Sequence, residues 1–391
     1  MRKKVSRVAI SMCAAASMVL SVVAPAMTVA AETTDEPVEL TVWSWDKTMN
    51  GTTFEVADSL DDDVTVNFVE MSKADCLQKI HTVLASGVTD DLPDIVSISD
   101  LNAQGYLMSY PDAFLPMDDY INYDFESYKK DMVSYDGVGY GVPYDTGVAA
   151  LFYRTDYMEE IGVTDEDMQD LTWDEYLALG EKLKEKGHML QTYNPNDIAE
   201  FQIMLQSTGK WFTDNDGNAD FVNNDALKEC YDVFKKLNES DFCQVVSDWT
   251  GFAGAINNGD VACVMRGSWI TSTIMAGEDQ SGKWKMAPIP KMSTEGATHY
   301  SNQGGSSWFV LKNSKNAEAA AKFLGKTFGG SVEMYDSLMK SNNIIGTYLP
   351  ASDCEAVEAA SDFFSGQQIN KTLVEWEAQI PSVNTGAFSA E

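Results

Sequence analysis

Several places in this chain set an aromatic residue, a carboxylate or paired glycines where a regular segment ends. Trp43-Ser44-Trp45-Asp46 closes an alternating run over residues 38–45, and Tyr144-Asp145 lies in Val142-Pro143-Tyr144-Asp145-Thr146-Gly147, between two strand-like segments. Asp100 follows the apolar run after Pro93, Trp269 opens a helical segment after Gly267-Ser268, and Gly304-Gly305-Ser306 precedes a strand over 308–311. A flat aromatic ring covers an apolar C–H face, while carboxylates, amides and exposed backbone amides take hydroxyls at the rim. That is the chemistry that holds a sugar ring. Singly, each aromatic also suits a hydrophobic core, and the segment 142–147 also reads as a surface turn. Their joint placement at segment ends points to a cleft for a polar ligand.

Bond-breaking chemistry has no comparable support. The three histidines, His81, His188 and His299, have no spacing that seats a metal on one helix face. The stretch from Gly277 to Lys283 has the spacing of a phosphate loop, but Trp284 stands where a hydroxyl is needed, and Glu278 and Asp279 would repel phosphate. Gly304-Gly305-Ser306-Ser307 lacks the flanking glycines of a nucleophile elbow. With 60 acidic residues, carboxylate pairs of the glycosidase kind are too easily found to be informative. Asp214, Asp216, Asn218 and Asp220 have the odd-position oxygens of a calcium loop, but Ala219 replaces the expected Gly and Asp225 the expected Glu. An Asp-Gly turn between two short strands is the favoured reading there.

The elements that must position these residues alternate. Residues 38–45 read as a strand, a helix follows over 53–60, and Val64, Val66 and Phe68 share one face of the next strand. Ser72 and Asp75 start a helix with Leu77, Ile80, Val83 and Leu84 on its apolar face, and Pro93 opens another strand. This βαβ rhythm predicts a mostly parallel sheet with ligands at the carboxyl ends of its strands. Farther on, Thr172 with Glu175 forms a capping box, 227–237 is amphipathic, and 251–258 is a short helix stopped at Asn258-Gly259. A buried strand follows over 261–265, and an alanine-rich helix over 316–328. Between the halves, Gly137, Gly139 and Gly141 sit at alternate positions, as a tight hairpin needing positive φ would place them.

Residues 1–31 form a secretory signal peptide: Arg2, Lys3, Lys4 and Arg7 precede an uncharged apolar stretch over 8–26 and the small-residue site Val29-Ala30-Ala31. An uncleaved anchor is the alternative, which Pro25 and the alanines before Glu32 disfavour. Cleavage removes four of 27 basic residues and no acidic ones, taking the formal net charge from −33 to −37. Such a balance argues against nucleic acid as a partner, since phosphate binding needs clustered Lys and Arg. Five cysteines remain, Cys76, Cys230, Cys243, Cys263 and Cys354. That sparse, odd set leaves room for one disulfide but is no framework. The length predicts two domains, and the absence of a low-complexity linker predicts that the chain passes between them through ordered strands.

Six motifs in order, ELTVWSW (39–45), LPDIVSISD (92–100), YGVPYDTGVAALFYRTDYMEEIGV (140–163), LTWDEYLALGEKLKEKG (171–187), NGDVACVMRGSW (258–269) and GGSSWFVLKNSKNAEAAAKFL (304–324), carry a resemblance. The chain resembles family 1 of the extracellular solute-binding proteins of ABC importers, which includes maltose-binding and multiple-sugar-binding proteins. The resemblance implies an α/β, two-lobed periplasmic-binding-protein fold of type II, its lobes joined by a multi-strand hinge. It places 32–146 with 306–338 in one lobe and 147–305 with 339–391 in the other. It implies ligand contacts at Trp45, Asp46, Asp100, Tyr144, Asp145, Trp269, Gly304, Gly305 and Ser306, and no catalytic or metal residue. The implied function is capture of a sugar or oligosaccharide, with a polyol as the alternative solute and a secreted glycoside hydrolase as the alternative class. Implied partners are a carbohydrate and the transmembrane subunits of an ABC permease, with no cofactor, no nucleic acid and a monomeric state. Two departures stand out: Cys13 comes too early for a lipobox, and the chain ends at Glu391 where relatives continue with another helix, so a shortened C-terminal segment is expected.

Overall fold

Leu40 and Val42 are fully buried in the strand β1 (Val38–Ser44), which lies between two parallel neighbours, β2 (Val64–Glu70) and β3 (Ile95–Ser99). The protein is described here from a computed structural model that covers residues 37–87, 92–195, 197–342 and 344–386. The signal peptide expected at 1–31 lies outside the described residues. Helices Thr52–Asp58 and Lys73–Ser86 make the crossovers between these strands. Ser72 caps the second of them, accepting from the Asp75 amide at 3.1 Å.

After β3 the sequence expectation of a mostly parallel sheet fails. A short hairpin, β4 (Ser134–Tyr135) and β5 (Val138–Gly139), leads to β6 (Gly141–Pro143), and the first sheet has the order β2-β1-β3-β12-β6 with β12 (Ser306–Val310) antiparallel to both neighbours. The reason is connectivity: β12 comes back from the other half of the molecule without a crossover helix, and a parallel pairing needs one. Asp136 and Gly137 turn the hairpin with φ of 50° and 76°, as a two-residue turn requires. Gly139 and Gly141 serve a different purpose than expected. A Cβ on either would lie 2.2 Å from Tyr123 Cζ or 2.6 Å from Phe309 Cζ, so these glycines allow close ring packing.

A second sheet, β10-β7-β11, is wholly antiparallel and combines β7 (Ala149–Arg154), β10 (Cys263–Gly267) and β11 (Trp284–Ala287). Beside it β8 (Gln191–Tyr193) and β9 (Cys243–Val245) pair in parallel. Each sheet separates two apolar clusters by the two-residue alternation of its strands. Trp308 and Val310 face the cluster around Phe54, Phe323 and Phe328, whereas Phe309 faces the one around Ile80 and Leu107. In β7, Leu151 and Tyr153 face one core of the second sheet and Phe152 the other. The capping box predicted at Thr172 and Glu175 is formed, Asp214 closes the Asp-Gly turn by accepting the Asp216 and Asn218 amides at 2.9 Å, and Gly217 has φ of 80°.

All five cysteines in the described residues are free and buried. Burial pushes the thiols of Cys76 and Cys230 up to about 12, so they act as small hydrophobes. The histidines are likewise peripheral, with His81 bonded to Tyr110, His188 to Glu160, and His299 to Asp170 and the Ile289 carbonyl. One helix, Val332–Asn342, belongs to both halves: Met334 and Leu338 enter a core of the first sheet, Tyr335 and Met339 a core of the second. The boundary expected at 338/339 falls inside it.

Candidate functional site

Three stretches connect the sheets side by side. The first runs from β6 to β7 through 144–148, the second enters β12 through 302–305, and the third follows helix Val332–Asn342 through 344–347. Isolated bridges join Asp145 to Gly346 and Val148 to Asn302. The Gln303 amide donates to the Gly147 carbonyl at 2.7 Å, and the Thr146 amide to the Ile345 carbonyl at 3.0 Å. Asn302 Oδ1 accepts from the Gly147 amide at 2.9 Å and from Thr146 Oγ1 at 3.2 Å. Tyr128 bridges Thr146 to the buried Glu377, whose carboxyl burial pushes well above the usual carboxylate range.

Beside these crossings lies a cleft of about 1080 Å³, at the upper end of small-molecule sites. Trp45, Asp46, Asp145, Trp269, Gly304, Gly305 and Ser306 all line it, as do Asn50, Thr146, Trp249, Ser272 and Gln303. Trp45 and Asp46 come from the end of β1. Asp46 adopts φ of 53°, where a non-glycine residue stores strain that functional sites tolerate, and its Oδ1 accepts the Met49 amide at 3.0 Å. It begins a π-helical turn, Lys47–Gly51, a rare conformation that recurs at binding sites. Asn50 in that turn donates to the Trp45 carbonyl at 2.9 Å, and its buried Oδ1 has no partner among the described residues.

Trp269 lies on the other wall. Its Nε1 donates to the Gln303 carbonyl at 2.9 Å, so the indole is fixed against the second crossing. Gly267 and Gly304 make that approach feasible, because a Cβ on either would stand 2.6 Å or 3.1 Å from Nε1. Trp249 is 52% exposed, 5.9 Å from Trp269 and stacked on Phe252 at 5.3 Å. The Arg266 guanidinium also lies over Phe252, 4.7 Å from that ring. Asp145 meets the cleft with one oxygen already committed: Oδ1 accepts from the Ser306 amide and hydroxyl, both at 2.8 Å. Its Oδ2 takes no bond from the described residues.

Two residues expected to touch ligand lie elsewhere. Tyr144 is fully buried, packs 5.1 Å from the Trp308 ring and shares a hydrogen bond of 2.5 Å with Thr53. Asp100 is also fully buried, beneath Gly305, where it pairs with Lys129 and accepts from Ser307 Oγ at 2.9 Å. Burial raises its pKa against the pull of the Lys129 ammonium.

The family model described as bacterial extracellular solute-binding protein matches residues 54–363. The chain belongs to this family. As a solute-binding protein it is 40% identical over 359 residues to a lactose-binding protein of Rhizobium radiobacter, covering 90% of this chain and 85% of the relative. It is 23% identical over 316 residues to an arabinooligosaccharide-binding protein of Halalkalibacterium halodurans, covering 76% and 68%. The solved structure of an ABC transporter associated binding protein from B. animalis subsp. lactis, in complex with beta-1,6-galactobiose, aligns at a TM-score of 0.71 and 21% identity over 90% of this chain and 88% of that one. The fold is therefore the two-lobed α/β fold of type II periplasmic binding proteins, with a multi-strand hinge. The family binds solutes outside the cytoplasm and is one of binding proteins rather than enzymes.

Gly147 tests how closely the crossings of this solute-binding protein are packed. A Cβ there would lie 1.9 Å from the Gln303 carbonyl oxygen, which is backbone and has no rotamer to yield. Gly147→Ala is expected to cost about 1–3 kcal/mol of stability, as overpacking does. A urea midpoint equal to that of the parent would show that the crossings are not packed as described.

Proposed function

We propose that this protein is the exported solute-binding subunit of an ABC importer and captures a disaccharide or short oligosaccharide containing β-linked galactose. The observation that carries this reading is the convergence of three indoles, Trp45, Trp249 and Trp269, on one cleft that Asp46, Asp145, Asn50 and Gln303 also line. Indole faces suit the C–H faces of pyranose rings, and the acids and amides suit their hydroxyls. The relative at 40% identity binds lactose by its name. The lobes would be 32–146 with 306–338 and 147–305 with 339–391, except that the helix Val332–Asn342 is shared. Solute held by both lobes favours the closed form, and closure presents both lobes to the permease.

Thermal-shift and calorimetric titrations of residues 32–391 with lactose, β-galactobiose, maltose, arabinooligosaccharides and sorbitol test this, with the sugar recovered and chromatographed. Lactose at a hundred times its dissociation constant should add about 2.7 kcal/mol of stability and come back intact. A shift with sorbitol alone would replace the sugar by a polyol. Recovery of galactose and glucose would make the protein a hydrolase.

A further inference from the structure

Lys129 is buried to 0% exposure on the helix Ser127–Val133, and its ammonium has three acceptors for three protons. One is Asp100 Oδ2, at the end of β3; the second is the Asp145 carbonyl at 2.8 Å, in the first crossing; the third is the Ser306 carbonyl at 3.2 Å, where the second crossing enters β12. Asp145 is thereby held at both ends, its carbonyl by Lys129 and its carboxylate by Ser306. Gly305 closes over this knot with φ of 91°, and a Cβ on it would stand 2.5 Å from Asp100 Oδ2.

We infer that Lys129 is a positioning residue for solute capture: it fixes two of the three crossings to the end of the first sheet and sets the free oxygen of Asp145 toward the cleft. Bending between the lobes is then left to the far ends of those crossings, at Gly147 and around Gly304. A buried ion pair is by itself weak evidence for stability, and neutral replacements of similar size are often tolerated. This separates positioning from mere support. The inference rests on the sugar-capture reading for its affinity readout, and on the unliganded protein for the other.

The test uses the mature chain and the variants D100N/K129M and D100N/K129Q. Hydrogen exchange without ligand should be at least about tenfold faster in D100N/K129M than in the parent at the amides of 145–147 and 303–306, with those of β7 and β10 unchanged. Lactose affinity by calorimetry should fall about tenfold. The glutamine variant, which restores a donor for the Asp145 carbonyl, should recover part of both. Parent-like exchange in folded D100N/K129M would overturn the inference, whatever happens to affinity, and so would equal effects of Met and Gln, which would mark Lys129 as space-filling. If the parent binds none of the sugars, the exchange measurement still decides. If the double variants fail to fold, K129Q alone, with Asp100 free to take a proton, should show intermediate exchange, and parent-like rates there would equally overturn it.

Discussion

Trp269→Ala should weaken lactose binding about 30-fold or more while leaving the fold intact. Buried aromatic anchors at binding sites typically cost 2 kcal/mol or more on truncation, and 1.4 kcal/mol is a factor of ten. Trp269 fits that role because its position is settled before any solute arrives: the bond to the Gln303 carbonyl and the two glycines beside the indole leave it little freedom. A preformed platform spends none of its contact energy on ordering itself. Trp269→Phe separates the two contributions, since it keeps a flat face and loses the bond to Gln303. Its affinity should lie between those of the parent and the alanine variant. Calorimetric titration with lactose measures both, and an alanine variant that binds as tightly as the parent would mean that the sugar does not rest on this wall.

Trp308→Ala should lower stability by about 3–5 kcal/mol, the range for large aromatic truncations in a core. Trp308 is fully buried at the centre of an aromatic group, with Phe54 at 4.7 Å, Tyr144 at 5.1 Å and Phe328 at 5.6 Å between ring centroids. Its strand bridges β3 and β6, so the cavity would open where the first sheet joins the crossings. The indole Nε1 has no hydrogen-bond partner among the described residues, so Trp308→Phe gives up volume but no bond and should be much milder. Urea unfolding of the three proteins compares them. An alanine variant within about 1 kcal/mol of the parent would show that this group is not close-packed.

The elements that local patterns specify were legible in the sequence. Capping pairs such as Thr172 with Glu175 act within one turn, and the alternation in β1 acts within one strand, so both could be read residue by residue. Sheet direction could not, because the antiparallel entry of β12 depends on which half of the molecule the chain is returning from. The candidate site divided the same way. Trp45, Asp46, Asp145, Trp269 and the segment 304–306 stand at element ends and do line one cleft. Tyr144 and Asp100 also stand at element ends, but their surroundings come from far in sequence: Thr53 and Trp308 enclose the one, Lys129 and Ser307 the other. A polar atom satisfied by a distant partner looks, in sequence, the same as one waiting for a ligand. Trp249 could have been found, since it follows the helix-capping Asp248 and so stands, like Trp269, in the first turn of a helical segment. Nothing local marked Lys129, whose three acceptors are 29, 16 and 177 residues away.

The helix Val332–Asn342 limits what kind of movement the proposed closure can be. Because Met334 and Leu338 are embedded in one core and Tyr335 and Met339 in the other, the lobes cannot simply swing about three strands. The helix must travel with one of them and slide over the other, adding a shear component to the rotation. Methionine is suited to such a sliding contact, since its unbranched, polarizable chain can repack without losing touch. Tyr335, whose hydroxyl donates to the Phe328 carbonyl at 2.9 Å, ties the helix to the first lobe. The slip plane is therefore the face that carries the Tyr335 ring and Met339.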